Sequence, residues 1–204
     1  MSRRVFYVVY FEDQNLQRIL DAIRLLCDPN GKTRAHITIR GPYSKRTDMS
    51  PFTRRLQGTE IVTLGVDCFF NESQNTVFLK CDSDRLREVW EKSDYGYNPH
   101  ITLYDGDSRQ FASRLADRLS KLLLRFSFTA DGLSPLISYK GQGTFDLRMA
   151  FDEEFVFKLI GKRVTSGDIE KLPVETRLSY VEALARKLPE ITHSYRQPIR
   201  SHAH

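Results

Sequence analysis

The sequence contains few cysteines and no long apolar run. Its 204 residues include 3 cysteines, an odd number with no Cys-x-x-Cys pair. This pattern argues against a disulfide framework or a zinc knuckle and favours a reducing compartment. No stretch approaches the roughly 20 apolar residues of a membrane-spanning helix. We therefore expect no membrane partner and a cytoplasmic location.

Signatures of export, metal binding and dinucleotide binding are also missing. The first residues, MSRRVFYVVYFEDQ, alternate like a strand, and no small-residue cleavage site follows, so they do not resemble a signal peptide. The sequence has no His-Glu-x-x-His motif, no P-loop and no Rossmann glycine pattern, and we expect neither a metal nor a cofactor. The formal net charge of +5 permits an anionic partner without requiring one.

What is present is a strand–helix–strand pattern that occurs twice. Each copy ends in His-Ile-Thr followed by an aliphatic residue. Two such units predict two sheet lobes about a pseudo-two-fold axis, with the helices outside. The first unit comprises a predicted strand at 4–11, a helix at 15–27 and a strand at 35–40, and the second a strand at 76–81, a helix at 84–92 and a strand at 100–104.

The segment after this duplication follows a different pattern. We assign residues 1–150 to the duplicated domain and 151–204 to a helical C-terminal extension. The main feature of the extension is an amphipathic helix at about 174–188. Its apolar face either packs on the core or contacts a protein partner or a second copy of the chain. Residues 193–204 are predicted to be disordered.

The two His-x-Thr motifs present a definite chemistry if their strands lie side by side. Because residues i and i+2 of a strand share a face, His36 and Thr38 point one way while Ile37 points into the core. His100 and Thr102 are related in the same way. Threonines donate hydrogen bonds to phosphate oxygens, while one histidine accepts a proton and the other donates one. The pattern predicts phosphoryl transfer without a metal; a structural protein with two coincidental His-x-Thr strands is the alternative.

With HITI at 36–39 and HITL at 100–103, the chain resembles the two-histidine (2H) phosphoesterase superfamily. Members of this family carry two H-x-[ST]-x motifs, and a proline often precedes the second motif, as it does here. The resemblance covers about residues 4–150. It implies an α+β fold of bilobal, duplicated strand–helix–strand units, in which antiparallel sheets form a central cleft and helices lie outside.

The resemblance also implies an activity. The expected enzyme is a 2H cyclic phosphodiesterase that hydrolyses a 2′,3′-cyclic phosphate to a 2′-phosphate on an RNA end or a nucleotide. His36 and His100 are then the acid/base pair, and Thr38 and Thr102 bind the phosphate. The family implies His100 as the base and His36 as the acid in hydrolysis, with the roles reversed in ligation or cyclisation.

Other substrates and another class of function stay open. Cyclic dinucleotide or oligonucleotide signals and ADP-ribose cyclic phosphate are opened by the same chemistry. An RNA- or nucleotide-binding module with a partner-binding tail is the alternative of another class. Recognition of the substrate depends on the loops at 42–60 and 94–98, whose conformations do not follow from the sequence.

Residues near the two motifs are candidates for substrate contact. Two of them each lie four positions after a motif histidine, so we expect Arg40 and Tyr104 to share the histidine faces. The arginine is suited to neutralise phosphate charge, and the tyrosines are suited to stack on a base. For every tyrosine the alternative is a half-buried packing residue. The full set of candidates is Arg40, Tyr43, Tyr97, Tyr104, Tyr139 and Lys140.

Overall fold

The protein is an antiparallel sheet with α-helices packed against it. A computed structural model describes residues 3–31, 33–72, 74–91, 96–139, 143–144 and 151–192. The strands are β1 Arg3–Phe11, β2 Ile37–Tyr43, β3 Glu60–Phe70, β4 Asn75–Asp82, β5 His100–Gly106, β6 Ser127–Tyr139 and β7 Gly143–Thr144. The helices are α1 Gln14–Cys27, α2 Ser50–Leu56, α3 Asp84–Val89, α4 Arg109–Ser120, α5 Glu153–Ile160 and α6 Val174–Ile191, with a 3₁₀ helix at Ser166–Lys171.

The duplication extends beyond the two predicted units. In chain order, β1-α1-β2-α2-β3 is followed by β4-α3-β5-α4-β6, so each repeat contributes three strands and two helices. The third strands are exchanged between the repeats, because β3 pairs with β4 and β6 pairs with β1. Residues 127–129 of β6 also pair with β3, which closes the ring β1-β2-β5-β4-β3-β6.

This topology confirms the predicted α+β fold class. One three-stranded lobe is β6–β1–β2 and the other is β3–β4–β5, and all their pairings are antiparallel. The lobes meet where β2 pairs with β5. The two predicted motifs therefore lie on the two strands at the centre of the molecule.

Strand β1 is buried on both faces, which explains its nearly continuous apolar sequence. Val5, Tyr7 and Val9 face the main hydrophobic core. Val8 and Tyr10 face the other way and form a second apolar cluster with a leucine of β6. The alternation of the strand thus places one set of side chains in the core and the other on the face that carries the motif histidines.

Helix α3 ends earlier than predicted. The sequence predicts a helix over 84–92, but the helix ends at Val89, and Trp90 has an extended backbone with φ −66° and ψ 133°. The Trp90 Nε1 atom donates a hydrogen bond to the Gly96 carbonyl oxygen at 2.8 Å. This bond offers the indole a partner outside the helix, so the apolar spacing alone overestimates the length of α3.

The C-terminal extension packs on the duplicated domain. Helix α6 is longer than the predicted 174–188, and it lies against α1 and α4. The apolar face of this helix is therefore covered within the chain. Its buried residues are Leu178, Val181, Leu184, Ala185 and Leu188.

The predicted disorder of 193–204 concerns residues outside those described. Among the described helices, none combines the length and apolar character needed to cross a membrane.

The three cysteines are free and differ in exposure. Cys27 and Cys81 are buried, whereas Cys68 is half-buried. Burial raises the pKa of the Cys27 thiol to about 12 and also raises the pKa of Cys81. Since the thiolate is the reactive form, both buried thiols are protected by their low ionisation as well as by their position.

We expect iodoacetamide at mildly alkaline pH to label Cys68 and to leave Cys27 and Cys81 unmodified in the folded protein. In urea all three thiols become accessible and should be labelled. Mass spectrometry of proteolytic peptides measures the labelling at each site. Labelling of Cys27 at the rate of Cys68 without urea would contradict the buried positions described above.

Candidate active site

The two motifs lie on adjacent antiparallel strands. Ile37 of β2 pairs with Ile101 of β5, and both isoleucines are fully buried. In an antiparallel pair the residue before one partner stands opposite the residue after the other. His36 therefore stands opposite Thr102, and the same rule applies to the reciprocal pair of Thr38 and His100. Each imidazole thus has a threonine of the other motif beside it on the face opposite the isoleucines.

The same backbone contact orients both imidazoles. His36 Nδ1 donates to the Arg34 carbonyl oxygen at 2.7 Å, and His100 Nδ1 donates to the Asn98 carbonyl oxygen at 2.8 Å. A carbonyl oxygen only accepts, so Nδ1 carries the hydrogen in both rings. The Nε2 atom is then the one that gains or loses a proton during a reaction.

Buried aromatic rings support each histidine. The Tyr10 ring meets the His36 ring edge-on at 6.2 Å, and the Phe78 ring lies 4.7 Å from that of His100. Both aromatic residues are only 4% exposed. Because these rings occupy one side of each imidazole, they restrict its rotation and exclude water from that side.

Helix α1 holds the backbone that precedes the first motif. Asp21 accepts a hydrogen bond from the Ala35 N–H at 2.6 Å and another from the Arg34 guanidinium at 3.1 Å. Gln17 donates to the Ala35 carbonyl oxygen at 2.9 Å. Burial raises the pKa of the Asp21 carboxyl group, and the Ala35 N–H and Arg34 act against this rise. These contacts fix the Arg34 carbonyl that orients His36, so Asp21 is a positioning residue.

The same helix contacts the second motif. The half-buried Arg24 side chain donates to the Thr33 carbonyl oxygen at 3.1 Å and to the Thr102 carbonyl oxygen. Cys81 of β4 donates its backbone N–H to the Pro99 carbonyl oxygen at 2.8 Å. The first motif is therefore held mainly by side chains of α1, whereas backbone bonding of β4 contributes to the second.

Asp21→Asn is expected to remove a pH dependence of stability. Because burial raises the pKa of Asp21 above 3.8, the folded protein binds this proton more tightly than the unfolded chain does. The contribution of Asp21 to the free energy of unfolding therefore falls as pH rises from about 4 through the folded-state pKa. Asparagine does not titrate, so this slope should disappear in urea unfolding at a series of pH values.

Asp28→Asn is the matched control for this variant. Asp28 is the half-buried C-cap residue of the same helix, and its carboxylate accepts from the Asn30 N–H at 3.1 Å. A loss of slope in Asp21→Asn that this control does not share assigns the proton to Asp21. An Asp21→Asn protein with the wild-type slope would show that the carboxylate does not hold its proton on folding.

Both motif strands contain a β-bulge directly after the threonine, and these bulges correct one prediction. Tyr7 pairs with Arg40 while the next residue of β1 pairs with Thr38, and Val77 pairs with Tyr104 while the next residue of β4 pairs with Thr102. One residue of each motif strand is therefore extra. Tyr7 and Val77 both face the main core. The prediction that residues at i+4 share the histidine face is wrong in both repeats.

Arg40 and Tyr104 consequently have other partners. The Arg40 guanidinium donates to the Val89 carbonyl oxygen at 2.9 Å and to the Glu91 carboxylate at 3.0 Å, and it stacks over the Phe52 ring. Tyr104 is 7% exposed, and its ring packs on an aromatic residue of α4. Arg40 joins the ends of β2, α2 and α3, whereas Tyr104 belongs to the core.

The remaining candidates have varied positions. The Tyr43 hydroxyl donates to Glu91, and the Tyr97 hydroxyl donates to Asp82 at 2.9 Å. Desolvation raises the pKa of both phenols. Both tyrosines are half-buried packing residues, which was the alternative for each. The backbone of Tyr139 pairs with β1, while its side chain and the whole of Lys140 lie outside the described residues.

A cavity of about 590 Å³ lies over Thr38 of the first motif and over His100 and Thr102 of the second. It contains residues that the sequence reasoning missed, because the bulge after Thr102 turns Asp105 toward it in place of Tyr104 and because Trp90 lies outside α3. Asp105 accepts from Gln74 and Thr76, each at 2.8 Å. The residues that line the cavity include Thr38, Phe69, Asn71, Gln74, Thr76, Trp90, Asn98, His100, Thr102 and Asp105.

Lys80 is a further residue that the sequence reasoning missed. It pairs with His100 across β4 and β5, and it is exposed. Directly paired residues of adjacent strands share a face, so Lys80 adds positive charge beside the His100 imidazole. The sequence signal that would have identified it is a lysine between Leu79 and Cys81, the one exposed residue of an otherwise mostly buried strand.

No group of three or more histidine, cysteine, aspartate or glutamate side chains able to hold a metal ion occurs in the part of the chain that the structure describes. No protein-family model matches the chain. A search of curated proteins likewise finds no significant match. The functional inference therefore rests on the residues of the cavity themselves.

Proposed function

We propose that the protein is a phosphodiesterase of the two-histidine type, which opens a 2′,3′-cyclic phosphate to a 2′-phosphate on an RNA end or a nucleotide. The observation that carries the proposal is the pairing of Ile37 with Ile101. This pairing brings one imidazole and one hydroxyl from each motif to a single face. Two histidines with hydroxyl donors beside them are suited to move two protons around one phosphate.

In the proposed reaction His100 is neutral and His36 is protonated. His100 Nε2 takes a proton from water as the water oxygen bonds to phosphorus. The bond between phosphorus and the 3′ oxygen breaks, and His36 gives its proton to that oxygen. The product carries a 2′-phosphate, and both histidines have exchanged protonation states. Transfer through solvent then restores the starting forms.

The threonines and Lys80 have electrostatic roles in this proposal. Thr38 and Thr102 donate hydrogen bonds to the non-bridging phosphate oxygens, on which negative charge increases as water attacks. Because each threonine stands opposite the histidine of the other motif, a phosphate between them has a base on one side and an acid on the other. Lys80, which pairs with His100, attracts the singly charged cyclic phosphate and the further negative charge that develops as water attacks.

The proposed setting is the cytoplasm. The three thiols are free, and two of them are buried. A reducing compartment keeps such thiols in this form. The cyclic phosphates formed when RNA is cleaved are the substrates that this setting offers.

The test is an assay of the full chain on a panel of cyclic phosphates. The panel contains the four 2′,3′-cyclic mononucleotides, RNAs with defined cyclic ends, ADP-ribose cyclic phosphate and cyclic dinucleotides. We expect turnover of the 2′,3′-cyclic ends that a chelator does not reduce, with a 2′-phosphate product identified by chromatography against both isomers. Tight oligonucleotide binding without turnover would instead favour a binding module, and loss of activity with chelator would contradict metal-independent chemistry.

A further inference from the structure

The cavity extends along β5 to both sides of the motif residues. Asn98 comes before His100, and Asp105 comes after Thr102. At about 3.3 Å per residue, the distance between these two ends of the cavity is about 20 Å. A single phosphate between the threonines occupies only the middle, so the cavity offers space on either side of the reacting group.

An aromatic side chain lies at the end of the cavity that precedes His100. Trp90 lines this end beside Asn98. Its indole is held by the hydrogen bond to the Gly96 carbonyl oxygen and by the ring of Tyr97, whose centroid is 5.6 Å away. A ring with two fixed contacts is a preorganised surface, and little side-chain entropy is lost when a ligand stacks on it.

A second aromatic side chain lies at the opposite end. Phe69 of β3 pairs with Thr76, and Thr76 pairs with Asp105 of β5, so the three residues form one row across the sheet. Phe69 is 43% exposed, although most large apolar side chains of this protein are buried. The Asp105 carboxylate in the same row repels a second phosphate and accepts hydrogen bonds from the amino group of a base.

We propose that Trp90 and Phe69 are two separate base-stacking surfaces, and that the substrate is an RNA end carrying at least two bases. This inference rests on the proposed function and specifies its substrate. In a 2′,3′-cyclic phosphate the base is attached to C1′, next to C2′. The preceding nucleotide is attached through C5′ to C4′, next to C3′. Over a phosphate held by the two threonines, the terminal base and the preceding nucleotide therefore extend toward opposite ends. A free mononucleotide fills only one end.

The kinetic test compares a cyclic mononucleotide with a dinucleotide that ends in the same cyclic phosphate. We expect Phe69→Ala and Trp90→Leu each to raise KM for the dinucleotide by about tenfold, with little change in kcat, since stacking on one aromatic ring contributes roughly this factor. One variant, and not both, should raise KM for the mononucleotide. Leu64→Ala is the matched control, because Leu64 lies on the same strand and is 42% exposed.

A binding measurement tests the same inference without catalysis. Trp90 is the only tryptophan of the chain, so its fluorescence reports stacking at its own end of the cavity. In the His100→Ala protein, we expect the cyclic-phosphate dinucleotide to quench this fluorescence. Adding Phe69→Ala to this protein should raise the dissociation constant of the dinucleotide about tenfold. The degree of quenching at saturation should not change.

The outcomes separate the inference from the proposed function. If binding depends on Phe69 but the wild type shows no turnover, the proposed phosphodiesterase activity is wrong and the two stacking surfaces are supported. Turnover with equal KM for mononucleotide and dinucleotide, unchanged by Phe69→Ala and Trp90→Leu, would overturn the stacking surfaces and leave the enzyme in place. An equal effect of Leu64→Ala would likewise count against a specific role for Phe69.

Discussion

Replacing either motif histidine by alanine is expected to lower kcat/KM for opening of a cyclic phosphate by about 10²- to 10⁴-fold. Each variant removes one of the two proton transfers. The neighbouring threonine hydroxyls cannot replace the lost Nε2 atom as an acid or a base. The double variant should lose less than the product of the two single losses, because residues that act as a unit are not additive. Initial rates over a range of substrate concentrations measure the effect.

The pH profile of these variants distinguishes the acid from the base. The wild type should show a bell-shaped dependence of kcat/KM, which rises as the base loses its proton and falls as the acid loses its own. If His100 is the base, the His100→Ala protein loses the rising limb. The His36→Ala protein then loses the falling limb. The opposite assignment of limbs would reverse the two roles.

Ile37→Val is the matched control for both histidine variants. It alters the same motif on the opposite, fully buried face and leaves both imidazoles in place. We expect a loss of stability of about 1 kcal/mol and nearly normal kcat. Activity that survives removal of both histidines would contradict the acid/base mechanism, whatever the effect of Ile37→Val.

Replacing Thr38 or Thr102 by valine is expected to lower kcat by about 10²- to 10³-fold, the usual effect of removing one donor to a developing oxyanion. Valine has nearly the same shape as threonine, so the change removes the hydroxyl and keeps the packing. Thr38→Ser and Thr102→Ser retain the donor and should retain most of the activity. Steady-state rates of the four variants measure this contrast.

Thr76→Val controls for the loss of a hydroxyl elsewhere in the same cavity. The Thr76 hydroxyl already donates to Asp105 at 2.8 Å, away from the motif row. Its removal should change KM more than kcat. Equal losses of kcat in the valine and serine variants at Thr38 would show that the hydroxyl is not the group that matters.

The sequence predicted the centre of the site because its signals are local. Alternation along β2 and β5 assigns one face to Ile37 and Ile101 and the other to the His-x-Thr side chains, and the repeated order of elements implies adjacent strands. The antiparallel pairing of the isoleucines is the register that this reasoning requires. The face of each motif residue therefore follows from a period of two.

The surroundings of the site were predicted less well, since they depend on features without a local signal. A β-bulge inserts one residue into a strand, and the residue types directly after Thr38 and Thr102 do not indicate one. Counting by two across the bulge assigned Arg40 and Tyr104 to the wrong face and concealed Asp105. Trp90 fits the apolar spacing of α3, yet its position depends on the carbonyl oxygen of Gly96, six positions later and beyond the end of the helix.

The exchange of third strands has a consequence for the origin of the chain. A single repeat of three strands and two helices would leave its first strand without one neighbour and its third strand without its partner. Two identical copies of such a repeat would complete each other by mutual exchange and would close the same ring with two-fold symmetry. The ancestral unit implied by this topology is therefore a homodimer with one histidine and one threonine from each subunit. Duplication and fusion of its gene would then have freed the two halves to diverge.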